Sequence, residues 1–227
     1  MRISIVVPAL NEAGSIATAL ALVQDMRRRG HELIVVDGGS TDATAALARP
    51  FADRVLCAPK GRAAQMNAGA RAASGDALIF LHADTRLPVS ADTLVAEALA
   101  RSGWGRFDVR IDSREPLLAL VGAMMNLRSR LTGIATGDQA MFMTRAAFAA
   151  AGGFPEIALM EDVTLSARLK RGGPPACVRV KVHASARRWE RSGVVRTILL
   201  MWRLRLMYFF GADPQRLARI YYYCDPA

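Results

Sequence analysis

Several short groups of residues in this 227-residue chain combine reactive side chains with spacings that a fold can use. The first apolar run, Ile3 to Leu10 with Pro8 inside it, ends on Asn11-Glu12, and the second, Leu33 to Val36, ends on Asp37-Gly38-Gly39-Ser40. A carboxylate at the end of a buried parallel strand accepts hydrogen bonds from a base or a ribose hydroxyl, and the glycines let a ligand approach the backbone; the competing role for Asp37 is a helix cap. His82-Ala83-Asp84 follows a third run, Ala77 to Leu81. Hard oxygen ligands such as Asp84 suit Mg²⁺ or Mn²⁺, and imidazole suits Mn²⁺ or orients a carboxylate; a helix cap beside an ordinary histidine is the alternative. Lys60-Gly61-Arg62 stands before a helical segment, where charge and free N–H groups meet phosphate, or where a basic loop is simply solvated. In the second half, Asp138 and the pair Glu161-Asp162 offer proton acceptors or favourable charge at a helix start. Arg187, Arg188 and Trp189 offer two guanidinium groups and a stacking surface, or cover for the core, and His183 is a metal ligand or a structural histidine.

These groups need a scaffold, and the first half of the chain reads as one of alternating strands and helices. Strands are expected over 3–9, 33–37, 54–58 and 77–81. Ile16, Leu20, Val23 and Met26 recur at helical spacing within 13–29, where Arg27 to Arg29 suit the C-terminal end of the dipole and Gly30 the stop. A short helix capped near 40–42 and one over 63–73 complete a β-α-β-α series, the signature of a parallel sheet covered on both faces.

From residue 102 the pattern changes. Phe107, Val109 and Ile111 alternate with Arg106, Asp108, Arg110 and Asp112, which predicts a half-exposed antiparallel strand. Helices over 117–131 and 163–171 and strands near 139–143 and 177–182 follow. The expected plan is an α/β domain over 1–190, with a nucleotide-binding half (1–101) and an acceptor half (102–190) sharing one sheet, and a helical extension over 191–227.

Composition excludes several classes. With 52% hydrophobic and 22% charged residues the chain is neither disordered nor fibrous. Its net charge of +10 is uneven: from Arg168 to Arg219 there are thirteen Lys and Arg against Glu190 and Asp213 alone. Such a face attracts phosphates or anionic lipid. Cys57, Cys177 and Cys224 form no close pair, against a disulfide framework or zinc site and in favour of a reducing cytoplasm. No signal peptide is expected, because Pro8, Asn11 and Glu12 interrupt the first apolar stretch. The segment 194–210 is too short and too arginine-rich to span a bilayer. Leu199, Trp202, Leu206 and Phe209 recur on it at helical spacing, so it packs on the core, joins two copies in a homodimer, or lies peripherally on the inner face of a membrane.

Taken in order, these motifs resemble the nucleotide-sugar-dependent glycosyltransferases of family 2, whose pattern begins Pro-x-x-Asn-Glu and then Val-Val-Asp-x-Gly-Ser-x-Asp. The resemblance covers roughly residues 2–190 and implies a GT-A-type, Rossmann-like mixed sheet, mostly parallel. It implies that Asp37 contacts uracil, with Pro8, Asn11, Glu12, Lys60, Arg62 and Asn67 on the nucleotide side, and that the donor is a UDP-sugar. It also implies that Asp84 with His82 holds Mn²⁺ or Mg²⁺ on the diphosphate, His82 standing where the family's Asp-x-Asp has its first acid. The Gly-Gly-Phe turn before Glu161-Asp162 implies an inverting transfer with Asp162, or else Asp138, as base on an acceptor of unknown identity. Glu161, Arg187, Arg188 and Trp189 then face the acceptor or the diphosphate. The chain departs from the family at Gly38, more often a second Asp, and at Met66, where the family has Arg and Arg62 is placed to replace the charge. The runs Gly61 to Asn67 and Gly137 to Gln139 are most similar to a small bacterial subgroup linked to arsenosugar- or selenium-associated gene sets. A sugar-phosphate nucleotidyltransferase would open with a glycine- and arginine-rich phosphate loop, which this chain lacks between Pro8 and Ser15. A non-catalytic basic module binding nucleotide or membrane leaves the acidic positions unexplained, and no nucleic-acid partner is expected.

Overall fold

A computed structural model describes residues 1–223. The first half alternates as its sequence requires: β1 (Ile3–Ala9), α1 (Ile16–Ala21), α2 (Gln24–Arg28), β2 (Glu32–Asp37), α3 (Thr44–Ala48), β3 (Arg54–Cys57), α4 (Arg62–Ala72), β4 (Ala77–Phe80), β5 (Thr85–Arg86) and α5 (Ala91–Leu99). The second half holds β6 (Trp104–Asp112), α6 (Pro116–Thr132), a 3₁₀ turn over 137–139, β7 (Phe142–Thr144), α7 (Arg145–Ala150), α8 (Glu161–Leu169) and β8 (Ala176–Ser185). Three helices close the described chain: α9 (Arg187–Ser192), α10 (Val194–Phe209) and α11 (Pro214–Tyr223).

All eight strands among the described residues join one sheet in the order β3-β2-β1-β4-β7-β6-β8-β5. β1, β2, β3 and β4 pair in parallel, β7 runs antiparallel to β4 and β6, and β8 is parallel to β6. Alternate residues of β1 feed different cores. Ile3, Ile5 and Val7 pack with Ile16, Leu20 and Val95 on one face, while Val6 packs with Met66, Ala70 and Leu165 on the other. Helices therefore cover both faces, and the near-continuous apolar runs of β1 and β2 follow from that double burial.

Two expectations are corrected. The single helix over 13–29 is two short ones, broken at residues 22–23, where the Val23 amide bonds the Leu20 carbonyl in a tighter turn (3.2 Å) and Gln24 ties the junction to the Leu20 (3.0 Å) and Phe51 (2.9 Å) carbonyls. The alternation in β6 is not that of a half-exposed strand. Arg106 is 0% exposed and Asp108 is buried, because α6 lies over their face: Arg106 Nε donates to Ser129 Oγ (3.0 Å), its Nη2 to the Asn126 carbonyl (3.2 Å), and its Nη1 pairs with Asp108. β6 is antiparallel to β7 as expected but parallel to β8. The strand expected near 139–143 begins at Phe142, after the 3₁₀ turn.

Cys57 and Cys177 are free thiols, and Cys224 lies outside the described residues.

Candidate functional site

The carboxyl ends of β1 and β2 are strapped together before any ligand arrives. Asn11 adopts a left-handed backbone (φ 53°); its Oδ1 accepts from the Thr41 amide (2.9 Å) and its own amide donates to Ser40 Oγ (2.9 Å). The Glu12 amide donates to Thr44 Oγ1 (2.8 Å). Asp37 is buried at the end of β2, where it accepts from the amides of Gly39 (3.1 Å) and Ser40 (3.0 Å) and from the Ser40 hydroxyl. Its carboxylate thus shapes its own loop, and Pro8 sits half-buried within β1.

Gln65, which the sequence reading passed over, locks this corner. Its buried Nε2 donates to the carbonyls of Ala9 and Val36, both at 2.8 Å, tying β1 to β2 from α4. A Cβ at Gly38 would meet the Gln65 amide at 3.0 Å. A side chain at position 38 would therefore have to displace the Gln65 amide. Asn67 also has a structural partner: its Nδ2 donates to the Phe154 carbonyl (2.8 Å) and its Oδ1 accepts from the Phe154 amide (3.0 Å). It anchors the Gly-Gly-Phe turn to α4 through one of its two N–H donors and one of its two acceptor lone pairs.

Asp84 stands exposed past the end of β4, 4.0 Å from Arg187, which also reaches Glu12 (3.3 Å). A groove of about 440 Å³ beside it is lined by Ser15, Asp84, Asp112, Ser185 and Arg187 among others. His183 is paired with Asp112 (2.7 Å), whose other oxygen meets Arg86. Burial raises the pKa of Asp112, but the His183 and Arg86 hydrogen bonds hold it below the usual carboxylate range. Among the described residues no three His, Cys, Asp or Glu side chains converge as a metal cage. Lys60 is exposed.

The carboxylates of the second half gather opposite. His82 Nδ1 lies 3.4 Å from Asp138, and a Cβ at Gly137 would collide with the His82 ring, so the imidazole fits only over glycine. The Gly137 amide donates to Asp162 Oδ2 (2.9 Å), while Asp162 Oδ1 accepts from the Val163 amide (2.7 Å). Asp138 remains about half exposed; burial opposes its ionisation, but His82, Arg62 and Arg188 hold its pKa low. Glu161, 6% exposed at the start of α8, has its pKa pushed up to about 7 by burial and by the neighbouring Asp162 charge, against Arg62. Arg62 is open to water yet deep among protein atoms. That depth lowers its pKa, and Glu161, Asp138 and Asp162 more than offset the effect.

Arg128 on α6 is a second residue that the sequence reading missed. Its Nε and Nη2 are buried without a hydrogen-bond partner, and its charge is felt by Asp162 and Asp138. Arg188 stacks on the Tyr221 ring (3.7 Å), and Trp189, half-buried, packs against the cluster of Ile111, Leu118 and Ala186. The site therefore brings His82, Asp138, Glu161, Asp162, Arg62 and Arg128 together, with Asp84 and Arg187 at the neighbouring groove.

Residues 4–116 match the profile of the family described as Glycosyl transferase family 2. A curated relative, "PGL/p-HBAD biosynthesis glycosyltransferase" of Mycobacterium bovis, is 37% identical over 102 residues, 42% of this chain and 40% of that protein. Among solved structures, S. aureus TarS 1–349 in complex with UDP-GlcNAc superposes with a TM-score of 0.66 at 17% identity, covering 82% of this chain and 58% of that one. The mannosyltransferase PcManGT from Pyrobaculum calidifontis, in complex with GDP-Man and Mn²⁺, gives a TM-score of 0.63 at 21% identity and covers 100% and 70%. The chain thus spans less than two thirds of the length of the first two. At these identities the structural likeness establishes the GT-A-type fold.

Proposed function

We propose that this chain, matched over residues 4–116 to glycosyl transferase family 2, moves a sugar from a nucleoside-diphosphate sugar, UDP-sugar being favoured, to an acceptor hydroxyl with inversion. The observation that carries this reading is the joining of the two halves across the sheet. His82, behind β4, meets Asp138 at 3.4 Å, and the next residue back, Gly137, holds Asp162 at 2.9 Å. That proximity supports a single site formed by the donor loop and the acceptor carboxylates.

Residues 1–101 hold the donor in this reading, residues 102–190 hold the acceptor, and 191–227 form the extension. Asp37 and the Ser40 loop face the base and ribose. Asp162, with Asp138 as the alternative, takes the proton from the acceptor hydroxyl as its oxygen bonds to the anomeric carbon. The bond from that carbon to the diphosphate breaks in the same displacement, and the nucleoside diphosphate leaves with the electron pair. Fixed charge aimed at a developing anion is usually the largest catalytic contribution, and Arg187 and Arg62 are placed to supply it. Gly137's amide orients Asp162, and Glu161, holding its proton to about pH 7, limits the negative charge crowded around it.

The donor set fits a divalent cation carried on the substrate. Such an ion keeps waters and phosphate oxygens and needs one or two protein carboxylates rather than a full cage, and Asp84 is exposed beside the groove. Asp84, with His82 beside it, would hold Mn²⁺ or Mg²⁺ where it screens the charge of the departing diphosphate.

Gly61 to Asn67 and Gly137 to Gln139 support placement in the arsenosugar- or selenium-associated subgroup. The reading puts the protein in the cytoplasm, peripheral to the inner face of a membrane through 194–210, with a homodimer as the competing use of that face. No helix among the described residues is long and apolar enough to cross a membrane. The test is release of nucleoside diphosphate from a panel of UDP- and GDP-sugars with Mn²⁺. Release confined to the UDP-sugars and lost on chelation supports the proposal, and no release from any donor opposes it.

A further inference from the structure

Two helices expose apolar stripes that nothing in the described chain covers. On α6, Leu120, Met124, Leu127 and Leu131 recur at steps of four, three and four, on the side away from its buried residues Leu118, Gly122, Asn126 and Ser129. On α10, Val195, Leu199, Trp202, Leu206 and Phe209 recur in the same way, opposite the helix's buried positions Thr197 and Leu204. Trp202 is 67% exposed, Phe209 82% and Leu131 77%. Exposed apolar positions scattered singly need no explanation, but a contiguous helical stripe marks an interaction surface.

The helices meet. Leu118 and Val121 of α6, Trp189 of α9 and Val194 of α10 belong to one cluster with Ile111 and Ala186. Both also border the acceptor carboxylates. Arg128, next to Leu127, is within electrostatic reach of Asp162, and the Tyr208 hydroxyl of α10 bonds Thr164 of α8 at 2.5 Å, two residues past Asp162.

We infer that α6 and α10 together form one docking surface for an anionic lipid bilayer, and that the acceptor is an amphiphile presented to Asp162 from that bilayer. The substrate class rests on the glycosyltransferase reading; the docking surface does not. Charge selects this occupant. Residues 187–219 carry eight arginines against Glu190 and Asp213, and Arg196, Arg203 and Arg205 lie on α10 itself. A second copy docked on the same face would bring these cations together, whereas anionic headgroups neutralise them while Trp202, Phe209 and Phe210 enter the interfacial layer.

The experiment is co-sedimentation of the full chain with vesicles of phosphatidylcholine containing phosphatidylglycerol, and with phosphatidylcholine alone, at low and high salt. UDP binding with Mn²⁺ is measured on the same samples. Three proteins are compared: wild type, Leu127→Gln with Leu131→Gln, and Trp202→Gln with Phe209→Gln, all at exposed positions and checked for unchanged melting temperature. The expected result is binding to the anionic vesicles at low salt, release at high salt by screening, and a loss of at least about tenfold in each variant, with UDP binding unchanged. Absence of wild-type binding overturns the inference. So does an α6 variant that binds as wild type, or a concentration-dependent dimer that the same substitutions dissolve while vesicles are ignored. Failure of UDP binding beside intact vesicle binding would instead remove the transferase reading and leave the surface standing.

Discussion

The backbone amide of Gly137 donates to Asp162 Oδ2 at 2.9 Å, 25 residues away in the chain. Gly137 at the same time leaves room for the His82 ring that reaches Asp138. One backbone position thus orients Asp162 and admits the imidazole that follows β4.

Asp162→Asn keeps the shape and one of the two hydrogen bonds the carboxylate accepts while removing the proton acceptor. Transfer is expected to fall by about 10²-fold or more, with UDP affinity nearly unchanged. Kinetics beside a binding isotherm check this, and near-normal turnover in Asp162→Asn together with a loss in Asp138→Asn would move the role to Asp138.

Glu161 gives the fold a pH dependence of definite sign. Its folded pKa of about 7 lies above the ordinary 4.5, so between those values the native state binds more protons than the unfolded chain and stability falls as pH rises. The full contribution is present below about pH 4.5 and is lost through about pH 7, on the order of 1–3 kcal/mol. Denaturant melts of Glu161→Gln should show this part of the slope removed. Arg62→Met, which takes away a cation that lowers the Glu161 pKa, should move the loss to higher pH.

Gln65→Ala removes the donor shared by the Ala9 and Val36 carbonyls. A stability loss of about 1–3 kcal/mol is expected for the acceptors left behind, read as a shift in denaturant midpoint. Gly38→Asp in the wild-type background should also destabilise, by crowding the Gln65 amide, and should cost less in Gln65→Ala.

Much of this was legible in sequence, for physical reasons. The apolar runs of β1, β2 and β4 predict buried parallel strands, and their polar ends fall on one rim of the sheet as such strands require. Asp84, Asp138 and Asp162 stand out in the sequence because their types, order and neighbours resemble a family pattern. What was not legible depends on partners distant in the chain. The Arg106 and Asp108 alternation looks solvated until α6 supplies Ser129 and the Asn126 carbonyl. Asn67 gives no sign in sequence of the anchor it forms to the Phe154 backbone 87 residues away. Gln65 and Arg128 carry no local signal, since their roles come from the carbonyls and carboxylates the fold sets around them.

The buried pair offers a separate check on the fold. Asp108→Ala leaves Arg106 buried without its carboxylate, and breaking a buried ion pair on one side costs about 3–5 kcal/mol. A midpoint shift of that size in chemical denaturation is expected, whereas a near-neutral effect would mean that Arg106 reaches water.

The most direct test of the central claim is UDP binding followed by thermal shift, with Mn²⁺ and with chelator, in wild type and Asp84→Asn. Binding to the folded state alone stabilises it, by about 2.7 kcal/mol at a ligand concentration about a hundred times Kd. The account predicts that UDP raises the wild-type melting temperature, more with Mn²⁺ than with chelator, and that Asp84→Asn abolishes the difference. No stabilisation of the wild type by UDP under either condition would contradict it.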